Sequence, residues 1–116
     1  MPKKRRDKEY LQDILEAMQR ILTYTANLTY ERFIKDVKTQ DAVIRNVEIV
    51  GEATKSLSPR LRKASPHIPW KEMAGMRDKV IHHYFGINLE IVWSVAKQEI
   101  PSLLSHIVDL LRKETV

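Results

Sequence analysis

The chain contains no cysteine, and only three of its 116 residues are glycine and five are proline. Without cysteine it can form neither a disulfide framework nor a zinc site with thiolate ligands, and this suits a reducing cytosol. The scarcity of glycine and proline, beside many leucine, isoleucine, valine, glutamate, lysine and arginine residues, favours helices over short strands.

Long apolar runs are also lacking. No stretch approaches the roughly 18 to 20 consecutive apolar residues that a membrane-spanning helix needs. The basic segment Lys3–Arg6 resembles the start of a signal peptide, but Asp7 and Glu9 stand where the apolar region of such a peptide should follow. We therefore expect a cytoplasmic protein that does not contact a membrane.

The length and the apolar fraction of 43% predict one globular domain over residues 1–116, in which residues 1–6 form a flexible basic terminus. The formal net charge of +5 favours an anionic partner such as nucleic acid. A large part of this excess lies in Lys3–Arg6, and such a run is more typical of a solvated terminus than of a binding arm.

The spacing of the apolar residues predicts about five helical segments. Their starts are expected near Asp7, Thr29, Thr39 to Asp41, Pro69 and Asn88. The second segment should end near Lys38, and residues 60–68 should form a connector. Long helices joined by short links predict an all-α fold, an antiparallel up-and-down helical bundle.

Single residues refine this prediction. Asp7 is placed to cap the first helix, and Gly86 to end the fourth. Gly51 inside the third helix costs about 1 kcal/mol relative to alanine, which predicts a close approach of another helix there. Pro101 should kink or interrupt the fifth helix, because it lacks an amide donor and clashes with the preceding turn.

Chemically versatile side chains cluster near the end of the fourth predicted helix; they are Arg77, Asp78, His82, His83 and Tyr84. An arginine can bind a phosphate through two parallel hydrogen bonds. A histidine, with an ordinary pKa near 6.5, can take a proton from a hydroxyl or give one to a leaving oxygen. On a continuous helix Asp78, four residues before His82, could orient that imidazole.

Helix geometry limits this reading. His82 follows Arg77 by five residues and falls about 140° away around a straight helix. A site that uses both therefore needs the helix end, long side chains or a second copy of the protein.

A metal site finds little support in the sequence. His82 and His83 are adjacent and point apart, so they cannot jointly chelate a metal in a normal helix. Glu48 and Glu52 form a carboxylate pair one turn apart, but such a pair is more often a solvent-exposed helix face. No HExxH motif or clustered acidic triad occurs, so we expect neither a metal nor another cofactor.

The pattern R-x-x-x-x-H-x-Y, formed by Arg77, His82 and Tyr84, resembles the signature of the HepT-type toxins, which belong to the HEPN superfamily. Residues 69–77 are similar to the lead-in to this motif, and residues 45–53 are similar to the preceding helix of the family. The resemblance covers essentially the whole chain.

This resemblance implies a homodimeric helical bundle with the arginine and histidine of both copies around a shared cleft. It also implies a metal-independent endoribonuclease, in which a ribose 2′-hydroxyl attacks the adjacent phosphate and leaves a cyclic phosphate and a free 5′-hydroxyl. His82 would then be the general base or acid, and Arg77 would stabilise the phosphorane. Asp78 would have a supporting role, and His83 would either assist His82 or exchange roles with it.

The resemblance further implies a partner, the minimal nucleotidyltransferase antitoxin MntA, which transfers AMP onto the motif tyrosine, here Tyr84. Bulky, anionic AMP groups would repel RNA from the cleft. Two alternatives stay open. The chain could be a non-catalytic HEPN module that binds nucleotide or supports the transferase, or a plain helical interaction protein in which Tyr84 only packs on the core.

Overall fold

The structure is a computed structural model that describes residues 5–82 and 86–114. Its helices are α1 (Asp7–Thr25), α2 (Tyr30–Phe33), α3 (Val37–Lys55), α4 (Pro59–Ala64), α5 (Trp70–Ala74), α6 (Met76–Val80), α7 (Leu89–Ser94) and α8 (Ile100–Glu114). A π-helical turn (Val95–Glu99) joins α7 to α8, and the two-residue strands β1 (Ile81–His82) and β2 (Gly86–Ile87) pair antiparallel. The all-α prediction is confirmed.

The core lies between α1, α3 and α8, because α1 packs against both of the others. Apolar residues at three- and four-residue spacing place one face of each helix in this core, as expected for amphipathic helices. Fully buried members are Leu11, Ile14, Met18 and Ile21 of α1, Val43, Val47 and Val50 of α3, and Ile100 and Ile107 of α8. Among the described residues, no helix has both the length and the apolar character needed to cross a bilayer.

The start of α1 differs from the prediction. Arg6, not Asp7, occupies the N-cap position. The Asp7 carboxylate instead accepts hydrogen bonds from the backbone N–H of Ser58 at 2.9 Å and from its hydroxyl at 2.6 Å. A partner 51 residues away therefore takes the carboxylate that was expected to cap the helix. Of the basic terminus, residues 1–4 lie outside the described residues, and Arg5 donates to Asp13 at 2.7 Å.

Part of the predicted connector, residues 60–68, is helical. The hydroxyl of Ser58 accepts from the backbone N–H of Leu61 at 3.2 Å and caps α4, while Pro59 occupies the first turn. Ser58 and Pro59 thus begin a new helix shortly after α3 ends at Lys55, because proline suits the first helical position although it disrupts a helix interior.

The boundary between α2 and α3 also lies elsewhere than predicted. The shorter helix α2 ends at Phe33, not near Lys38, and α3 begins at Val37. Asp36 caps α3, since its carboxylate accepts from the hydroxyl of Thr39 at 2.7 Å and from the backbone N–H of Thr39 at 3.0 Å. These two hydrogen bonds lower the pKa of Asp36 below its ordinary value.

Pro101 interrupts the last helical segment, as predicted. The residue before it, Ile100, donates its backbone N–H to the carbonyl of Val95, five residues back, at the end of the π-helical turn. Within that turn, Lys97 donates to the carbonyl of Thr25 at 2.9 Å. The cation lies at the C-terminal end of α1, where a positive charge is favourable.

Candidate active site at the end of helix α6

The predicted fourth helix is neither continuous nor as long as expected. Gly75 separates α5 from α6, and α6 ends at Val80, so the prediction that the helix continues to Gly86 is wrong. Ile81 already has extended dihedral angles, φ −113° and ψ 115°, and pairs with Ile87. Gly86 has φ +74°, a conformation that glycine adopts without the penalty of a Cβ, and here it serves the strand pair and not a helix end.

This early helix end changes the expected relation between Asp78 and His82. The one-turn spacing of these residues depended on a continuous helix, and α6 ends two residues before His82. Asp78 is exposed and approaches Arg77 instead, with Oδ1 at 3.4 Å from Nη1 of the guanidinium. A supporting role for Asp78 stays a prediction, and within the described residues its contact is with Arg77.

Arg77 also faces an acid on another helix. Its Nε lies 4.0 Å from Oε2 of Glu48 on α3, and the side chains of Arg77 and Glu48 are 41% and 32% exposed. The guanidinium is therefore held from one side while it stays accessible to solvent. The two members of the carboxylate pair Glu48 and Glu52 differ in their surroundings: Glu48 is partly exposed and faces Arg77, whereas Glu52 is exposed and lies 3.6 Å from Lys55.

The backbone of Arg77 is fixed by the close helix approach that Gly51 predicts. A Cβ on Gly51 would lie 3.3 Å from the carbonyl oxygen of Ala74 and 3.7 Å from the backbone nitrogen of Arg77. Helix α3 therefore contacts the α5–α6 junction backbone to backbone. Met76 and Val80, on the buried side of α6, are within the core. Arg77 consequently projects from a well-packed support.

A second contact ties α6 to the opposite part of the fold. Lys79 donates to Glu99 in the π-helical turn at 2.8 Å. Because both side chains are partly exposed, such an ion pair contributes about 1 kcal/mol or less to stability. It nevertheless joins the short helix that carries Arg77 to the segment preceding α8.

The histidines and the tyrosine of the motif are described less fully. The backbone of His82 lies in β1, opposite Gly86, while the side chain of His82 is outside the described part of the structure. His83 and Tyr84 lie outside the described residues altogether. The roles expected for these three side chains stay predictions. The structure brings together Arg77, Asp78 and Glu48.

Sequence reasoning did not identify Glu48 as a member of the site. The only available signal was its position within residues 45–53, which are similar to a helix of the HepT-type toxins.

Other histidines lie away from this site, and the rings of His67 and His106 are 5.4 Å apart in an edge-on arrangement. Over residues 5–82 and 86–114, no three histidine, aspartate or glutamate side chains are grouped so that they could hold a metal ion.

Comparison of the sequence with known proteins identifies its family. The family model described as "Ribonuclease HepT-like" matches residues 14–110. The chain is 46% identical over 112 residues to "Putative RNase MJ0127" of Methanocaldococcus jannaschii, covering 97% of this chain and 92% of that protein. It is 49% identical over 100 residues to "Probable ribonuclease HepT" of Thermococcus cleftensis, covering 86% of this chain and 91% of that protein. No solved structure matches. The chain belongs to the HepT-like ribonuclease family.

Proposed function

We propose that this chain is a metal-independent endoribonuclease and the toxin of a cytoplasmic toxin–antitoxin pair. The proposal is supported by its membership of the HepT-like ribonuclease family and by relatives that are named as RNases. The observation that carries it is the placement of Arg77, half-exposed and contacted by Glu48, in the first turn of the short helix α6, which ends two residues before His82.

In the proposed reaction, the ribose 2′-oxygen forms a bond with the adjacent phosphorus while the bond to the 5′-oxygen breaks. One His82 imidazole takes the proton of the 2′-hydroxyl, and another, in its protonated form, gives a proton to the leaving 5′-oxygen. The guanidinium of Arg77 donates to the non-bridging oxygens and stabilises the charge of the phosphorane. The products are a cyclic phosphate and a free 5′-hydroxyl.

Two imidazoles acting at one phosphate require two copies of His82 or the participation of His83. We propose a homodimer in which Arg77 and His82 of both copies surround one cleft. A shared cleft is compatible with the end of α6 at Val80, because His82 then lies on an extended segment beyond the helix. The helical period therefore does not determine where His82 lies relative to Arg77.

For regulation, we propose that an MntA-like nucleotidyltransferase antitoxin transfers AMP onto the phenol oxygen of Tyr84. Each AMP adds bulk and a negative charge within seven residues of Arg77 along the chain. Repulsion between these groups and an RNA phosphate would keep the substrate out of the cleft.

The test is cleavage of labelled RNA in excess EDTA by the parent protein, after mass spectrometry has established that Tyr84 carries no AMP. His82→Ala and Arg77→Ala should each lower the cleavage rate by about 10²-fold or more, the usual loss for a proton-transfer group or a donor to the transition state. Arg20→Ala, at an exposed arginine of α1, is the control and should cleave like the parent. Absence of cleavage by the unmodified parent would favour the non-catalytic accessory subunit.

A further inference from the structure

An open groove with basic sides lies where α4 meets α5. It has a volume of about 640 Å³, its charged side chains are Arg62, Lys63 and Lys71, and Pro66, Trp70 and Ala74 supply apolar surface. We call this feature the basic groove. It is distinct from the contact between Arg77 and Glu48, because neither of these residues lines it.

The cations of the basic groove lack anionic partners. Arg62, Lys63 and Lys71 form no salt bridge with any described residue, whereas the neighbouring Arg60 contacts the carboxylate of Asp7 at 3.6 Å. The Nε of Arg62 is buried and has no hydrogen-bond partner among the described residues. Three positive charges without a counter-charge make the groove complementary to a polyanion.

The groove is preformed. The indole Nε1 of Trp70 donates to the carbonyls of Arg62 at 3.1 Å and Ser65 at 3.0 Å, which fixes the start of α5 against the end of α4. The polar edge of the indole is thereby satisfied inside the protein, and Trp70 as a whole is 8% exposed. A ligand would therefore meet a rigid wall and would not have to order it first.

The position of the groove relates it to the candidate active site. Its far end is Ala74, whose carbonyl oxygen and the backbone nitrogen of Arg77 both lie within 3.7 Å of a Cβ placed on Gly51. Ala74 is the last residue of α5 and Arg77 the second residue of α6, so only two residues separate them across the junction. A chain that follows the groove past Ala74 therefore reaches the vicinity of Arg77.

We propose that the basic groove binds the single-stranded part of the RNA substrate to one side of the phosphate that is cleaved. Phosphates lie against Lys63, Lys71 and Arg62, and an unpaired base lies against the exposed ring of Pro66, beside the small exposed part of Trp70. Cations beside an apolar surface that can receive a base are the combination that single-strand binding requires. The inference rests on the proposed function, since it gives the substrate of that site a path.

The experiment measures binding of a fluorescein-labelled, unstructured RNA of about 16 nucleotides by anisotropy, in the His82→Ala background so that no cleavage occurs. The test variant adds Lys63→Glu and Lys71→Glu, two exposed side chains outside the core. The control adds Arg20→Glu and Lys35→Glu, also exposed and outside the groove, which change the net charge by the same amount. Thermal unfolding verifies that both variants are folded.

We expect the groove variant to raise the Kd for the RNA at least about tenfold more than the control does. The slope of log Kd against the logarithm of the salt concentration should also fall by about 0.7 for each phosphate contact that is lost. A duplex of the same sequence should bind more weakly than the single strand. Equal losses in the groove variant and the control would overturn the proposal, because net charge alone would explain them. If the parent cleaves RNA while the two variants bind it equally well, the proposal for the groove is wrong and the ribonuclease proposal stands. If the parent neither binds nor cleaves RNA, both proposals are wrong.

Discussion

At the scale of single residues, the contact between Arg77 and Glu48 gives the site its most specific feature. The Nε–Oε2 distance of 4.0 Å is that of a loose ion pair between half-exposed groups, so its contribution to stability should be below about 1 kcal/mol. We expect the contact to affect the rate of cleavage more than the stability, because it orients the guanidinium and a small misplacement of a catalytic group lowers a rate strongly. We therefore predict that Glu48 positions Arg77.

We predict that Glu48→Ala lowers kcat for RNA cleavage by about tenfold while the melting temperature changes little. Glu48→Gln, which keeps an oxygen acceptor, should recover part of the loss. In the Arg77→Ala background, Glu48→Ala should have almost no further effect, because the two residues act through one interaction. Steady-state kinetics of the four proteins of this double-mutant cycle measure the coupling.

Glu52→Ala is the matched control for this cycle, because Glu52 is exposed on the same helix one turn further along and contacts Lys55 rather than Arg77. Its kcat should stay within about twofold of the parent value, as expected for a surface position outside the site. Equal rates for Glu48→Ala and Glu52→Ala would contradict a positioning role.

At the scale of helices and strands, the close approach of α3 to the α5–α6 junction determines where Arg77 lies. We predict that Gly51→Val destabilises the protein by about 1–3 kcal/mol, the usual cost of overpacking. The new side chain would displace the carbonyl of Ala74, which is only 3.3 Å from the added Cβ, and with it the backbone of Arg77. Urea unfolding measures the stability, and cleavage below the unfolding transition measures the displacement of the site.

Glu52→Val, one residue further along α3, introduces the same side chain at an exposed position and is the control. It should unfold within about 0.5 kcal/mol of the parent, as most surface substitutions do. Should Gly51→Val be as stable and as active as this control, the junction would have room for the valine and Gly51 would not fix Arg77.

The long helices could be predicted from sequence because their apolar period is a local signal. Short elements could not, because their residues fit two structures equally well. Ser58 and Pro59 read as a helix stop and are also the start of α4. Gly86 fits a helix end, but with φ +74° it joins a strand pair.

The site was predictable to the same extent. The motif locates Arg77 by its sequence neighbours alone. Its contact with Glu48 joins residues 29 positions apart on different helices, and the Asp7–Ser58 bond spans 51 residues. No periodic pattern encodes such pairs, because packing between helices decides them.

At the scale of the whole molecule, the proposed reaction needs a second imidazole at the reacting phosphate, and we predict that a second copy of the chain supplies it. Within the described part of the chain, an exposed apolar side chain lies near this segment: Ile87 on β2, opposite Ile81, is 45% exposed. Light scattering after size-exclusion chromatography should give twice the chain mass of 13.6 kDa. A mass equal to one chain would contradict a shared cleft.

Subunit exchange tests whether the two copies share the chemistry. We predict that a tenfold excess of His82→Ala protein, preincubated with the parent, lowers the cleavage rate per parent chain by up to about tenfold, because nearly every parent chain then has a partner that lacks the His82 imidazole. Capture of RNA by the variant would lower the rate without preincubation as well. The same mixture assayed immediately, at saturating RNA, is therefore the control, and it should retain most of the parent rate.

If preincubation leaves the rate unchanged although the chains exchange, each copy carries a complete site. The second proton-transfer group must then come from the same chain, with His83 as the first candidate.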